Sequence, residues 1–245
     1  MPRRGGGRPP VVVLIHGGFW LPEYDRSLME PLARDVVARG WAAWNLDYRV
    51  PGRGAGGWPG TFLDVAQGVD HLAVAAGRHD LDLGRVVVVG HSAGGCLALW
   101  AAARRNLPAG APGADPGVTP GLAISQAGVN DLVAGAALNL GQGAVVNLMG
   151  QAPPPASAPP DPADRYGLAS PSARLPIGVP LVLVHGDRDE IVPLTQSTEF
   201  ATRAKGLGDT VTVLTVAEAS HFDVIDPSHR AWSDATVAIE ASFTS

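Results

Sequence analysis

Val86-Val-Val-Val-Gly90-His91-Ser92-Ala93-Gly94-Gly95 runs from four β-branched residues straight into a Gly-x-Ser-x-Gly turn, and Cys96-Leu-Ala-Leu-Trp100 continues it as a helical pattern. An uninterrupted apolar run of this length reads as a strand buried on both faces. The glycines let the chain turn sharply and lift the serine hydroxyl into a cleft at the sheet's C-terminal edge. Amides at the start of the following helix then face a reacting carbonyl. Gly-x-Ser-x-Gly alone arises by chance in a chain with 31 glycines. Strand, turn and helix in succession make it specific.

Working outward, short β-branched runs alternate with longer amphipathic stretches, which predicts a mostly parallel sheet of about six strands covered by helices on both faces. The strands fall at Val11–Ile15, Ala42–Leu46, Arg85–Val89, Leu122–Ser125, Leu181–Val184 and Thr210–Val216. Helices fall at Ser27–Arg39, Thr61–Ala76, Ala93–Arg104, Thr195–Lys205 and Pro227–Phe243. Asp226 would cap the last of these, with Pro227 at its first position. Asn106–Pro120 is rich in Gly, Pro and Ala and reads as a surface loop. The segment 130–165 combines the apolar Asn130–Met149 with the proline-rich Ala152–Ala163. It reads as a small lid, or as one covering helix followed by an irregular loop, within a single domain spanning 1–245.

Serine is a poor nucleophile without a base, and the base needs an orienting acid. Leu181-Val-Leu-Val-His185-Gly186-Asp187-Arg188-Asp189-Glu190 sets carboxylates just after a strand. The final strand is followed by Ala219-Ser220-His221-Phe222, which puts one histidine in the loop beyond it. His16, His91 and His185 sit in turn motifs, and His71, His79 and His229 on helices or surface, so His221 is the candidate base. Upstream, Leu14-Ile-His16-Gly17-Gly18-Phe19-Trp20 ends a strand in small residues. Such a turn lets backbone amides aim at a developing oxyanion. Gly18 and Phe19 would donate there together with Ala93.

These segments resemble the α/β-hydrolase superfamily, from Val11 onward. His16-Gly-Gly-Phe-Trp20, Gly90-His-Ser-Ala-Gly94 and Ser220-His-Phe-Asp223 are similar to the kynurenine formamidase and small carboxylesterase branch related to hormone-sensitive-lipase-type esterases. The branch pattern His-Gly-x-x-Asp-x-x-Val-Pro falls on His185 to Pro193 and implies Asp189, not Asp187, as the acid. Together with Ser92 and His221 it implies a triad that hydrolyses small esters, with an arylformamidase acting on N-formylated aromatic amines as the alternative. A catalytically silent binding protein on the same scaffold would be expected to lack a triad member. Three positions depart from the pattern: Phe19 replaces a third glycine, Cys96 stands where histidine is common, and Ser220 replaces a glycine. Few residues precede Val11, so the first two strands of the larger family members are expected to be missing.

The remaining composition narrows the partners. The 245 residues are 46% hydrophobic and 17% charged, a balance that excludes a disordered chain and allows about 70% of the surface to be buried. A net charge of −5 leaves no basic footprint for nucleic acid or an anionic membrane. The apolar run after Arg3-Arg4 is too short for a signal or a membrane span, so a cytoplasmic monomer or homodimer is expected. A single cysteine, Cys96, excludes an internal disulfide and suits a small buried hydrophobe. No metal spacing or dinucleotide fingerprint appears, so no cofactor is implied. Aromatic residues are only 6%, yet Trp20, Trp58 and Phe222 lie beside turns and are expected to line a substrate pocket.

Overall fold

The structure, a computed structural model, describes residues 7–52, 54–155 and 161–244. Six strands form one sheet: β1 Pro10–Ile15, β2 Ala42–Leu46, β3 Asp82–His91, β4 Leu122–Gln126, β5 Leu181–Gly186 and β6 Val211–Val216. Their spatial order is β2-β1-β3-β4-β5-β6, and each neighbouring pair runs parallel. The chain leaves β1 toward β2 on one side, then returns to β3 on the other. The topological switch therefore lies between the C-terminal ends of β1 and β3, where open parallel sheets form their binding crevice.

Strand alternation explains why these runs are apolar throughout. Val11, Val13 and Ile15 enter one core layer while Val12 and Leu14 enter the other. The first layer is completed by α2 (Gly60–Asp70), α3 (Leu72–His79), α4 (Ala93–Ala103) and α8 (Thr195–Gly206). The second is closed by α1 (Glu30–Ala38) and α9 (Arg230–Thr244), through Leu32, Val36, Trp232, Ala235 and Ile239. All 11 residues of α4 are buried, which is why that helix is apolar on every side.

Three expected boundaries move. The helix expected over Ser27–Arg39 is a 3-10 turn, Arg26–Met29, followed by α1, whose Pro31 sits at the start where its missing N–H costs nothing. The stretch Thr61–Ala76 is interrupted at His71 and becomes α2 and α3. Asp226 does not cap the last helix. Its carboxylate takes the Ser228 N–H at 2.8 Å and the Ser228 hydroxyl at 2.7 Å, closing a tight turn, and α9 begins only at Arg230.

Residues 132–169 carry three short helices, α5 Leu132–Ala137, α6 Ala144–Met149 and α7 Arg165–Ala169. They are packed into the molecule: Leu132, Leu140, Val145, Leu148, Met149 and Tyr166 belong to the same core layer as α4. Backbone ties reinforce this, from Trp58 N–H to the Leu148 carbonyl (2.7 Å) and from the Trp100 indole to the Leu168 carbonyl (3.0 Å). Part of the expected proline-rich loop, 156–160, lies outside the described residues, as do 1–6 at the basic start.

Candidate active site

Ser92 joins β3 to α4 with φ 54° and ψ −121°, a conformation that strains any residue with a side chain. Two glycines make the turn possible. A Cβ on Gly90 would strike the Gly94 carbonyl, and one on Gly94 would strike the carbonyls of Ile15 and His16 at the end of β1. The Ser92 N–H donates to the Gln126 carbonyl on β4 (2.8 Å), which fixes the elbow from the other side.

The Asp189 carboxylate is fully buried in the turn after β5 and accepts from three donors. Oδ1 takes the Ile191 and Val192 N–H groups, each at 2.8 Å, and Oδ2 takes His221 Nδ1–H at 2.6 Å, while His185 Nε2 lies 3.2 Å from Oδ2 with its N–H directed mainly to the Val192 carbonyl at 2.9 Å. Burial alone would raise this carboxyl's pKa. The hydrogen bonds from His185 and His221 outweigh burial and hold it well below the usual carboxylate range. Asp189 is thus an anion, and the short bond at Nδ1 leaves His221 Nε2 as the acceptor nitrogen. Among the described residues no hydrogen bond yet joins Ser92 Oγ to that nitrogen. Such contacts are commonly long in free enzymes and tighten with substrate.

His91, directly before Ser92, links the two halves of the site. Its Nε2–H donates to the His221 carbonyl (3.0 Å), and the two rings lie 4.7 Å apart. Burial first, and the His221 imidazole next to it, push its pKa down to about 3. The ring is therefore neutral, and its buried Nδ1 has no partner. Gly17 lies against that same edge, since a Cβ there would come within 2.9 Å of both His91 Nδ1 and Ser92 Cβ.

The turn after β1 is held beside the elbow because Ile15 pairs with Gly90 across the sheet. Gly18, Phe19 and Trp20 all have positive φ, at 105°, 49° and 55°. Such a run of positive φ departs sharply from strand geometry and makes a tight turn at the end of β1. Ala93 is the first residue of α4, where N–H groups lack partners within the helix. His16 anchors the turn from below, stacked on Tyr48 at 4.2 Å and bonded to Asp47 at 3.1 Å. Asp187 does different work from Asp189: it is exposed and accepts the Glu218 N–H at 2.7 Å, bracing the loop that carries His221.

Of the expected pocket residues, Phe222 stands at the site, 48% exposed and 5.4 Å from the His221 ring. Trp20 and Trp58 do not. Trp20 is 1% exposed within the core layer, and Trp58 packs edge-on against Phe62, which packs on Trp100. An aromatic beside a turn serves equally well as core filling, and here packing takes it. A cavity of about 450 Å³ opens beside the turn that follows β1, lined by Pro22, Tyr24, Asp25, Asp47, Tyr48, Arg49, Val50 and Asp64. None of Ser92, Asp189 or His221 lines it. Sequence reading placed His185 and His91 in turns and missed their contacts with Asp189 and His221. Only the position of His185 four residues before Asp189 hints at the first. Among the described residues no group of three or more His, Cys, Asp or Glu is arranged to hold a metal ion. Cys96 is buried, which raises its thiol pKa well above the ordinary value.

A serine on a strained elbow, a histidine held by a buried aspartate and a glycine turn at the switch point define an α/β-hydrolase. The chain belongs to the BD-FAE family, whose model matches residues 1–204. It is 31% identical over 108 residues to Esterase LipQ from Mycobacterium tuberculosis, a match covering 44% of this chain and 25% of that protein. The matched stretch thus spans only a quarter of that relative. Among solved structures, a truncated carbohydrate esterase from gut microbiota superposes with a TM-score of 0.80 at 18% identity, over 99% of this chain and 88% of that one. Esterase B from Lactobacillus rhamnosis, in a structure with a C4-C4 tributyrin phosphonate, gives 0.79 at 20% identity, over 98% and 78%. At such identities the two structures establish the shared fold. No helix among the described residues is long and apolar enough to cross a membrane.

Proposed function

We propose that this protein is a serine hydrolase that cleaves small carboxylic esters through an acyl-enzyme. The observation that carries the reading is the 2.6 Å bond between His221 Nδ1 and the buried Asp189, on the sheet edge that also presents Ser92. Ser92 Oγ attacks the ester carbonyl carbon while its proton passes to His221 Nε2. Asp189 holds the imidazolium, and the amides of Ala93, Gly18 and Phe19 stabilise the tetrahedral oxyanion. Collapse breaks the acyl–oxygen bond, and the alcohol leaves with the proton from His221. Water then repeats the sequence on the acyl-serine, with His221 taking its proton and returning it to Ser92, so that the acid is released and the site restored.

The names of LipQ and of the structural neighbours, all esterases, support this choice. Nothing favours the arylformamidase alternative, which becomes the control substrate. We further propose that the chain works as one catalytic domain, with α5 and α6 as a small cap packed on the core layer of α4. A cytoplasmic monomer or homodimer fits the lone, buried Cys96.

The test is Ser92→Ala in a substrate panel of nitrophenyl esters and N-formylkynurenine. Ester hydrolysis should fall by roughly 10³-fold or more in a variant that still melts cooperatively. An organophosphonate should label Ser92 in the native chain. Near-native turnover by Ser92→Ala, or labelling at Cys96 instead, overturns the assignment.

A further inference from the structure

We propose that His185 is a positioning residue for Asp189, locked in one tautomer by a one-way hydrogen-bond chain that runs from Ser125 through Asn130 and Ser197. The proposal rests on the reading of Asp189 as the catalytic acid. All four side chains are buried, with Ser125, Asn130, Ser197 and His185 at 0% exposure. They come from different parts of the chain: Ser125 from β4, Asn130 from the loop after it, Ser197 from α8 and His185 from β5.

Each proton can be placed from its neighbours. His185 Nε2 faces two acceptors, the Val192 carbonyl at 2.9 Å and Asp189 Oδ2 at 3.2 Å, so it carries the hydrogen. Nδ1 is then a bare lone pair, and the Ser197 hydroxyl 2.8 Å away must donate to it. Having given its only proton, Ser197 Oγ accepts from Asn130 Nδ2 at 3.4 Å. The Asn130 amide cannot be reversed, because Nδ2 also meets the Gln196 carbonyl at 3.1 Å. Its Oδ1 in turn accepts the Ser125 hydroxyl at 2.7 Å. Every proton points toward the acid.

The alternative tautomer would set a lone pair of Nε2 against both a carboxylate and a carbonyl. Those two acceptors disfavour it, and the chain supplies the matching donor, Ser197 Oγ–H, at Nδ1. Asp189 Oδ2 is therefore shared between two imidazoles, and the His185 contact fixes the carboxylate plane on which His221 depends. The titratable groups facing Asp189 are His185 and His221, with the neutral His91 behind His221.

Long-range proton–nitrogen NMR on the whole protein labelled at histidine, with His185→Leu supplying the assignment, should report the neutral His185 ring as the Nε2–H tautomer. Kinetically, His185→Leu should lower kcat by about 10- to 100-fold with little change in KM, the range found for groups that orient a first-contact residue. Its acidic limb in kcat/KM should move to higher pH, since an unshared carboxylate stabilises the imidazolium. His185→Gln keeps an amide donor and should recover part of kcat. Ser197→Ala, a small change in a packed site, should move the limb in the same direction. An Nδ1–H tautomer overturns the proposal. So does an Asp189→Asn variant that loses turnover while the Ser197→Ala profile stays unmoved. Retained turnover in Asp189→Asn instead overturns the reading of Asp189 itself, and the tautomer still reports on the chain.

Discussion

Asp187 and Asp189 stand two positions apart in one turn, yet their surroundings are opposite. Asp189 is a buried anion that accepts three hydrogen bonds and has His185 Nε2 3.2 Å away, whereas Asp187 is exposed and caps one backbone N–H. Asp189→Asn replaces an acceptor facing His221 by an amide that favours the wrong tautomer, so turnover should drop by about 10⁴-fold. Asp187→Asn keeps an oxygen for Glu218 and should cost less than about 100-fold. Turnover and thermal melting of the pair decide the matter, and the reverse ranking moves the acid to Asp187. His91 yields a stability prediction of its own. Its pKa is depressed from 6.5 to about 3 in the folded state, so below pH 6.5 the unfolded chain binds the extra proton. The contribution of neutral His91 is complete above pH 6.5, declines by about 1.4 kcal/mol per pH unit as pH falls, and is exhausted near pH 3. His91→Gln removes that component, so its stability should fall less steeply between pH 6.5 and 4 than that of the native chain. Parallel unfolding curves would show that His91 is not the group being titrated.

At the scale of elements, α9 is tied to α1 by one bond across the second core layer. The Trp232 indole N–H donates to Asp35 Oδ2 at 2.6 Å, and Asp35 also holds Arg39 at 2.6 Å. Trp232→Phe keeps most of the apolar surface but deletes a charge-assisted bond worth about 1.5–3 kcal/mol. At roughly 2–4 °C per kcal/mol the midpoint should fall by about 3–12 °C, with turnover of the remaining folded enzyme unchanged. An unmoved midpoint would mean that water replaces the bond fully. The same elements show what sequence can and cannot reveal. The strands were legible because burial on both faces forces uninterrupted apolar runs, as in Val86–Val89. Ser92, His221 and Gly18 were legible because each occupies a turn at a strand end, where the fold restricts what residues can do. The start of α9 was not, because Asp226 has a nearer partner in Ser228. Nor was the Asn130–Ser197–His185 chain, whose members touch only once β4, β5 and α8 are assembled. For Trp20 and Trp58 a third reason applies: nothing local tells which way a ring beside a turn will pack.

For the whole molecule, the proposed activity makes the space around the switch point the selector of which esters fit. On one side the Phe19 ring closes against Gly141, where a Cβ would come within 2.6 Å of it, so the turn and the loop between α5 and α6 meet without a gap. Behind that contact Leu140, Leu148 and Met149 are already buried in the core layer and offer no open groove. On the other side the cavity of about 450 Å³, which the catalytic side chains do not line, is faced by Asp25, Asp47, Asp64 and Arg49 and offers an alkyl chain no apolar path. An acyl chain therefore has apolar wall for its first few carbons only. Each methylene that does find such wall contributes about 0.8 kcal/mol, close to a fourfold gain in specificity constant. The kcat/KM of nitrophenyl esters should climb from acetyl to butyryl, and the gain should stop, then reverse, by octanoyl. Measuring kcat/KM from acetyl through dodecanoyl checks this directly. A sustained rise of about fourfold per methylene would mean that α5 and α6 open to a long groove. In that case Gly141→Ala, which pushes against Phe19, should alter the chain-length profile rather than leave it in place.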